Sequence, residues 1–148
     1  MYLQHGLVDS CDTWVVNDEG LAIAFVLANQ GFDVWLGNNR GNRYSNKQMS
    51  PSVLKFWEFS FHEMAMWDLP AAFSYISRAT GKKIHYIGHS QGTLIMFIAL
   101  TQQLKTVTDN LMSFHAFAPI AYLNHQTSKS LASLAKADLG EILYVLIH

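Results

Sequence analysis

Along the chain, short stretches in which apolar residues stand at alternate or adjacent positions are followed by longer ones in which they recur at helical spacing. Residues 2–5 predict a short strand that stops at Gly6, and residues 9–18 a polar loop carrying Trp14. From Glu19 the period lengthens: Leu21, Ile23, Ala24, Phe25, Leu27 and Ala28 predict a buried helix that Gly31 terminates. A second strand is expected over residues 32–37, then a loop, Asn38-Asn39-Arg40-Gly41-Asn42-Arg43, whose residues tolerate left-handed backbone. Arg40 is expected to brace neighbouring loops through charge-assisted hydrogen bonds, a direct substrate contact being the minority alternative.

Phe56, Trp57, Phe59 and Phe61 form an irregular aromatic stretch, read as core or inter-loop packing in preference to a ligand cage. Asp68-Leu69-Pro70 predicts a helix start, with Asp68 as cap and Pro70 where a missing N–H does no harm. That helix ends at Thr80-Gly81. Ile84, Tyr86 and Ile87 form a third, buried strand, and an apolar helical run covers residues 94–104. Residues 112–118 form a fourth strand stopped by Pro119, with His115 inside it facing a neighbour in the sheet. From Tyr122 the chain turns polar, and residues 131–147 are again helical in pattern.

Strands alternating with helices at these spacings suit right-handed crossovers and a mostly parallel sheet with helices on both faces, hence an α/β fold. With 148 residues, half of them hydrophobic, the chain can bury one core. A chain 14% charged and 13% aromatic is not a solvated tail, and a net charge of −1 with scattered Lys and Arg gives nucleic acid no surface to bind. Cys11 is the single cysteine, and the histidines lack ligand spacing, so neither a metal nor a cofactor is expected. No apolar run is long enough to span a bilayer and no signal peptide opens the chain. Opening on an internal strand and ending within an apolar helix, the fold is expected to be truncated at both ends.

The chemistry concentrates at Gly88-His89-Ser90-Gln91-Gly92, a G-x-S-x-G pattern. Such a pattern arises by chance in about one chain in twenty of this length, and a structural Gly-Ser-Gly turn is the alternative reading. Its place between a β-branched strand and an apolar helix distinguishes it from chance. So sharp a strand-to-helix turn strains its central residue and leaves no room beside it, which glycine on both sides accommodates. Ser90 is therefore the candidate nucleophile, with helix N–H groups ready to face a developing negative charge. The partner acid and histidine should follow Ser90 in the chain. Asp109, Asp138, Glu141, His115, His125 and His148 do follow it, but none ends a recognisable later strand. His89 is expected to point away from the reacting oxygen.

In its order of motifs the sequence resembles the acid lipase branch of the α/β-hydrolase superfamily. The resemblance is carried by Leu3-Gln4-His5-Gly6-Leu7, Gly31-Phe32-Asp33-Val34-Trp35-Leu36-Gly37-Asn38, Arg40-Gly41-Asn42, Phe56-Trp57-Glu58-Phe59-Ser60, Asp68-Leu69-Pro70-Ala71, the Ser90 motif and Ala118-Pro119-Ile120-Ala121. It implies an α/β-hydrolase core over residues 1–120 and the start of a cap or lid over residues 121–148. It also implies Ser90 as nucleophile, with the backbone N–H groups of Gln91 and Leu7 as oxyanion hole. The implied function is hydrolysis of lipid carboxylic esters, triacylglycerol or steryl ester, through an acyl-enzyme, with transient contact to a lipid interface. A lysosomal or secreted setting follows from the resemblance alone. Family members are more than twice as long and carry the triad Asp and His further on, so the 148 residues alone are expected to be inactive. The alternative is a non-catalytic relic that binds an acyl chain or a protein partner.

Overall fold

The computed structural model describes residues 1–45, 54–123 and 127. The helix expected over residues 131–147, most of the cap region, and His125, Asp138, Glu141 and His148 lie outside them.

Four parallel strands form one sheet: β1 (Tyr2–Gln4), β2 (Trp35–Leu36), β3 (Ile84–His89) and β4 (Leu111–Phe117), in the order β2-β1-β3-β4. The helices are α1 (Ile23–Asn29), α2 (Phe61–Glu63), α3 (Leu69–Thr80), α4 (Gln91–Thr101) and α5 (Lys105–Thr108). Strand alternation sends Tyr2 and Tyr86 to one face, where they meet Leu69, Phe73 and Ile76 of α3 and Ile95, Met96 and Ala99 of α4. Leu3 and Ile87 point the other way, against Trp14 and Ala24. The ring contacts Tyr2–Tyr86, Tyr2–Phe73 and Tyr86–Phe114 tie three strands to α3. Fully buried side chains such as Phe73 each contribute about 1.5–3 kcal/mol. Among the described residues no helix is long and apolar enough to cross a membrane.

Three expectations need correction. The helix after Glu19 is only partly buried: in α1 only Ala24 is enclosed, while Phe25 and Val26 are more than a third exposed. A two-turn helix presents one narrow stripe to the sheet, here Ile23, Ala24 and Leu27, and its remaining apolar residues face outward. The second strand is two residues long, not six. Gly31 at φ 87° and the bond from Phe32 N–H to the Leu27 carbonyl keep that segment in the helix exit, and pairing to β1 begins with Trp35 N–H on the Met1 carbonyl.

The third correction concerns Asp68. The helix begins earlier, at Ser60, whose hydroxyl accepts from His62 N–H while Glu63 reaches back to Ser60 N–H at 2.7 Å. It then widens over Met64–Asp68, where Leu69 N–H bonds the Met64 carbonyl five residues back. Pro70 has no N–H to offer and would press on the carbonyl four residues before it, so the turn opens there. Asp68 thus lies inside a continuous helical rod and makes no cap hydrogen bond.

Candidate active site

The chain leaves β1 toward β2, then crosses to β3 on the other side of β1 and continues outward to β4. Loops following β1 and β3 therefore diverge, opening a crevice at the strand ends, where α/β folds place their ligands. Gly6 follows β1 at this point and Ser90 follows β3. They touch: a Cβ placed on Gly6 would lie 3.2 Å from Ser90 Cβ.

Ser90 has φ 52° and ψ −116°, between the end of β3 and the first residue of α4. A non-glycine residue held there costs about 1–3 kcal/mol and persists only if its surroundings over-determine it. They do. Ser90 N–H donates to the Phe117 carbonyl at 2.9 Å, and the Ser90 carbonyl accepts from both the N–H and the hydroxyl of Thr93, at 2.9 and 2.7 Å. Tyr86 donates its buried hydroxyl to the Gly92 carbonyl at 2.7 Å. Burial raises the Tyr86 pKa well above the ordinary value, so it stays a donor. A Cβ on Gly88 would stand 2.7 Å from the Gly92 carbonyl oxygen, and one on Gly92 2.7 Å from that of Gln4. Glycine at both positions is what lets α4 meet the sheet edge at this angle.

Gln91 opens α4, so its N–H has no acceptor within the helix. Gln91 and Leu7 line the same cleft, of about 360 Å³, with Val8, Arg40, Trp57, Phe59 and Met64 among its walls. Leu7 is nearly half exposed, and Val8 after it has φ 54°, a strained conformation for a β-branched residue. The lining mixes these apolar side chains with His5, Asp9, Asn39, Asn42 and Arg43.

Arg40 forms a fork on Asp68: Nε donates to Oδ1 at 2.8 Å and the terminal NH2 to the same oxygen at 2.6 Å. Arg40 N–H adds a bond to Oδ2 at 3.0 Å. The arginine thus ties the loop after β2 to the widened helix, the bracing role expected of it, and it lies 5.8 Å from the centre of the Phe59 ring. Trp57 and Phe59 stack beneath the loop and Phe56 meets both edge-on, as packing.

His5 is the group sequence reasoning passed over, having read it only as the end of the first strand and as part of a motif. It is 3% exposed. Its Nε2 receives Asn39 N–H at 3.2 Å and contacts Asn42 Nδ2 at 3.3 Å, and its Nδ1 lies 2.7 Å from the Gly6 carbonyl oxygen. Asn39 N–H can only donate, so the ring proton sits on Nδ1. Burial, partly offset by the Gly6 carbonyl and by Asp9, holds the His5 pKa below the ordinary histidine value and keeps the ring neutral.

His89 lines a second cavity, of about 220 Å³, with Trp14, Leu21 and Phe117, and its Nδ1 would lie 3.2 Å from a Cβ on Gly6, beside the Gly6–Ser90 contact. The remaining candidates fall elsewhere. His115 contacts Ser113 Oγ at 2.9 Å, and Ser113 also meets His85 Nδ1 at 2.7 Å, in a polar row across β3 and β4. Asp109 precedes β4, at the end of the sheet opposite Ser90.

A family profile described as alpha/beta hydrolase fold matches residues 1–127. Gastric triacylglycerol lipase of Rattus norvegicus is 48% identical over 131 residues, which are 86% of this chain and 33% of that protein. Lysosomal acid lipase/cholesteryl ester hydrolase of Homo sapiens is 44% identical over 131 residues, again 86% and 33%. Triacylglycerol lipase 2 of Arabidopsis thaliana is 40% identical over 146 residues, 97% of this chain and 34% of its own. The chain spans about a third of the length of these curated relatives. With an all-parallel sheet, a strained serine at the β3–α4 turn and these matches, the chain belongs to the alpha/beta hydrolase fold family and is acid lipase-like within it.

Proposed function

We propose that the protein hydrolyses carboxylic esters of lipids through an acyl-enzyme on Ser90. The observation that carries this reading is the backbone of Ser90, strained at φ 52°, locked by bonds to Phe117 and Thr93, and followed directly by Gln91, which lines the cleft with Leu7. Ser90 Oγ attacks the ester carbonyl, and the N–H groups of Gln91 and Leu7 receive the charge that forms on the carbonyl oxygen. The alkoxide leaves as the alcohol, and water then releases the fatty acid from Ser90. Triacylglycerol and steryl esters are the substrate classes, because the names of the similar proteins specify triacylglycerol and cholesteryl ester. Residues 1–120 form the hydrolase core in this reading and residues 121–148 begin a cap that meets the lipid interface.

A base must take the serine proton. Among the described residues the histidines at positions 5, 85 and 115 are bonded to other groups, and neither they nor His62 and His89 are hydrogen-bonded to Ser90 Oγ. The 148 residues alone are proposed, from the resemblance, to turn over ester on the order of 10⁴-fold or more slowly than a chain carrying a full triad. A fluorophosphonate probe, applied to the longest protein the gene encodes, should label Ser90 and leave Ser90→Ala unmodified. Equal labelling of the two would remove Ser90 from the reaction. An unlabelled protein that still binds fatty acid would favour the acyl-binding relic.

A further inference from the structure

We propose that His5 is the positioning residue of the oxyanion hole, holding the Gly6–Leu7 peptide so that the Leu7 N–H is turned toward Ser90. The inference rests on the hydrolase reading above and deepens it. A trans peptide is planar, with its C=O and N–H pointing in opposite directions. Whatever fixes the Gly6 carbonyl therefore fixes the Leu7 N–H. The His5 Nδ1–H donates to that carbonyl at 2.7 Å, and the ring is held from behind by Asn39 N–H and Asn42 Nδ2, both in the loop after β2. β1 lies between β2 and β3. The anchored carbonyl is thus tied toward the β2 side, and the opposite end of the peptide faces the β3 side, where Ser90 packs against Gly6.

The arrangement has a function because the loop's other ties lie beyond Leu7 and Val8, at Ser10 and Cys11, whose N–H groups donate to Asp9 and Asn38 Oδ1. Leu7 and Val8 are exposed and Val8 is in a left-handed conformation. A donor that reorients during reaction loses most of its value, since an oxyanion hole works by being oriented beforehand. The bridge from Asn39 through a neutral imidazole to Gly6 holds a surface loop with a buried side chain. Protonation of Nε2 would set a donor against two donors and release it.

Two variants separate positioning from filling. Asparagine at position 5 can place an N–H where Nδ1–H stands, whereas glutamine places its amide near Nε2 and leaves the Gly6 carbonyl without a donor. Both amides fill much of the site, so a structural role alone would affect them alike. In the longest protein the gene encodes, with active sites counted by fluorophosphonate titration so that unfolded enzyme does not contribute, His5→Gln should lower kcat about ten- to hundredfold at nearly unchanged KM. His5→Asn should restore most of it. Affinity for an alkylboronic acid, which forms a tetrahedral adduct on the serine, should fall in proportion to kcat/KM. In the wild type, the Leu7 amide proton should move downfield when that adduct forms, a readout that needs no variant. Equal losses in the two variants, unchanged kcat in His5→Gln, or a Leu7 resonance indifferent to the adduct would each overturn the inference while leaving the hydrolase reading intact. A wild type that hydrolyses no ester and takes no boronate would overturn both.

Discussion

Ser90 N–H donates to the carbonyl of Phe117 at 2.9 Å, so the strained residue that follows β3 is held by the residue that ends β4. Ala118, next along, is itself at φ 47°, and two residues later Ile120 N–H reaches Thr93 Oγ1 at 2.9 Å. The sharp turn and the exit from the neighbouring strand hold each other in place.

The close approach of α4 to β1 gives the first prediction. A methyl group at position 92 would lie 2.7 Å from the Gln4 carbonyl oxygen and 2.9 Å from that of His5, both backbone atoms. Gly92→Ala should cost about 1–3 kcal/mol in urea denaturation and slow fluorophosphonate labelling of Ser90. An unchanged unfolding midpoint would mean that α4 can withdraw from the sheet without loss.

Thr93 is wholly buried and its hydroxyl serves both ends of the contact, donating to the Ser90 carbonyl and accepting from Ile120 N–H. Thr93→Val keeps the shape, leaves Ile120 N–H without its acceptor and the Ser90 carbonyl with the Thr93 N–H alone, which should cost about 1–3 kcal/mol. Thr93→Ser keeps the hydroxyl and should cost less than the valine variant. Thermal unfolding of the three proteins side by side checks the order.

The Arg40–Asp68 fork is intermediate in burial, with side chains 32% and 18% exposed, so its removal should cost more than an exposed pair and less than an enclosed one. Asp68→Asn is expected to destabilise by about 1–3 kcal/mol. Arg40→Lys keeps the charge but not the fork, and should also lose stability. A double-mutant cycle with Arg40→Gln and Asp68→Asn measures the coupling, and strictly additive effects would show that the two residues act independently.

His5 makes stability depend on pH. Its pKa is held below the ordinary value of 6.5, chiefly by burial, so on acidification the unfolded chain takes up a proton while the folded one remains neutral. The unfolded state then binds more protons, and stability falls as pH drops below about 6.5, levelling once the folded ring also protonates. Glu63 acts in the same direction at lower pH, its pKa held down by hydrogen bonds from Ser60. Denaturant midpoints of the wild type and His5→Asn, compared from pH 7.5 downward, should converge as pH falls, because asparagine does not titrate. Parallel curves would mean that His5 is not the group responsible.

Much of this was readable from the amino-acid order alone. Gly88 and Gly92 around Ser90 report a backbone demand that is met within five residues, so the strand, turn and helix could be placed without knowing the rest. The Ser60–Glu63 capping box was equally local and could have been read, since serine followed three residues later by glutamate is its signature. It would have moved the helix start from Asp68 to Ser60 and freed Asp68 for a partner.

Which partner it takes was a matter for the tertiary structure. Arg40 and Asp68 are 28 residues apart, and Asn42 and His5 are 37 apart. Such pairs meet because β1 lies between β2 and β3, an order that local periodicity does not encode. The same holds for α1, whose apolar residues outnumber the positions the sheet can cover. Local sequence determined the strained serine and the alternation of strands and helices, since backbone conformation answers to neighbours within about one helical turn. Strand order decided the neutral tautomer of His5, the loop it holds and the arginine fork, because hydrogen bonds form between whichever groups the packed sheet brings within about 3 Å.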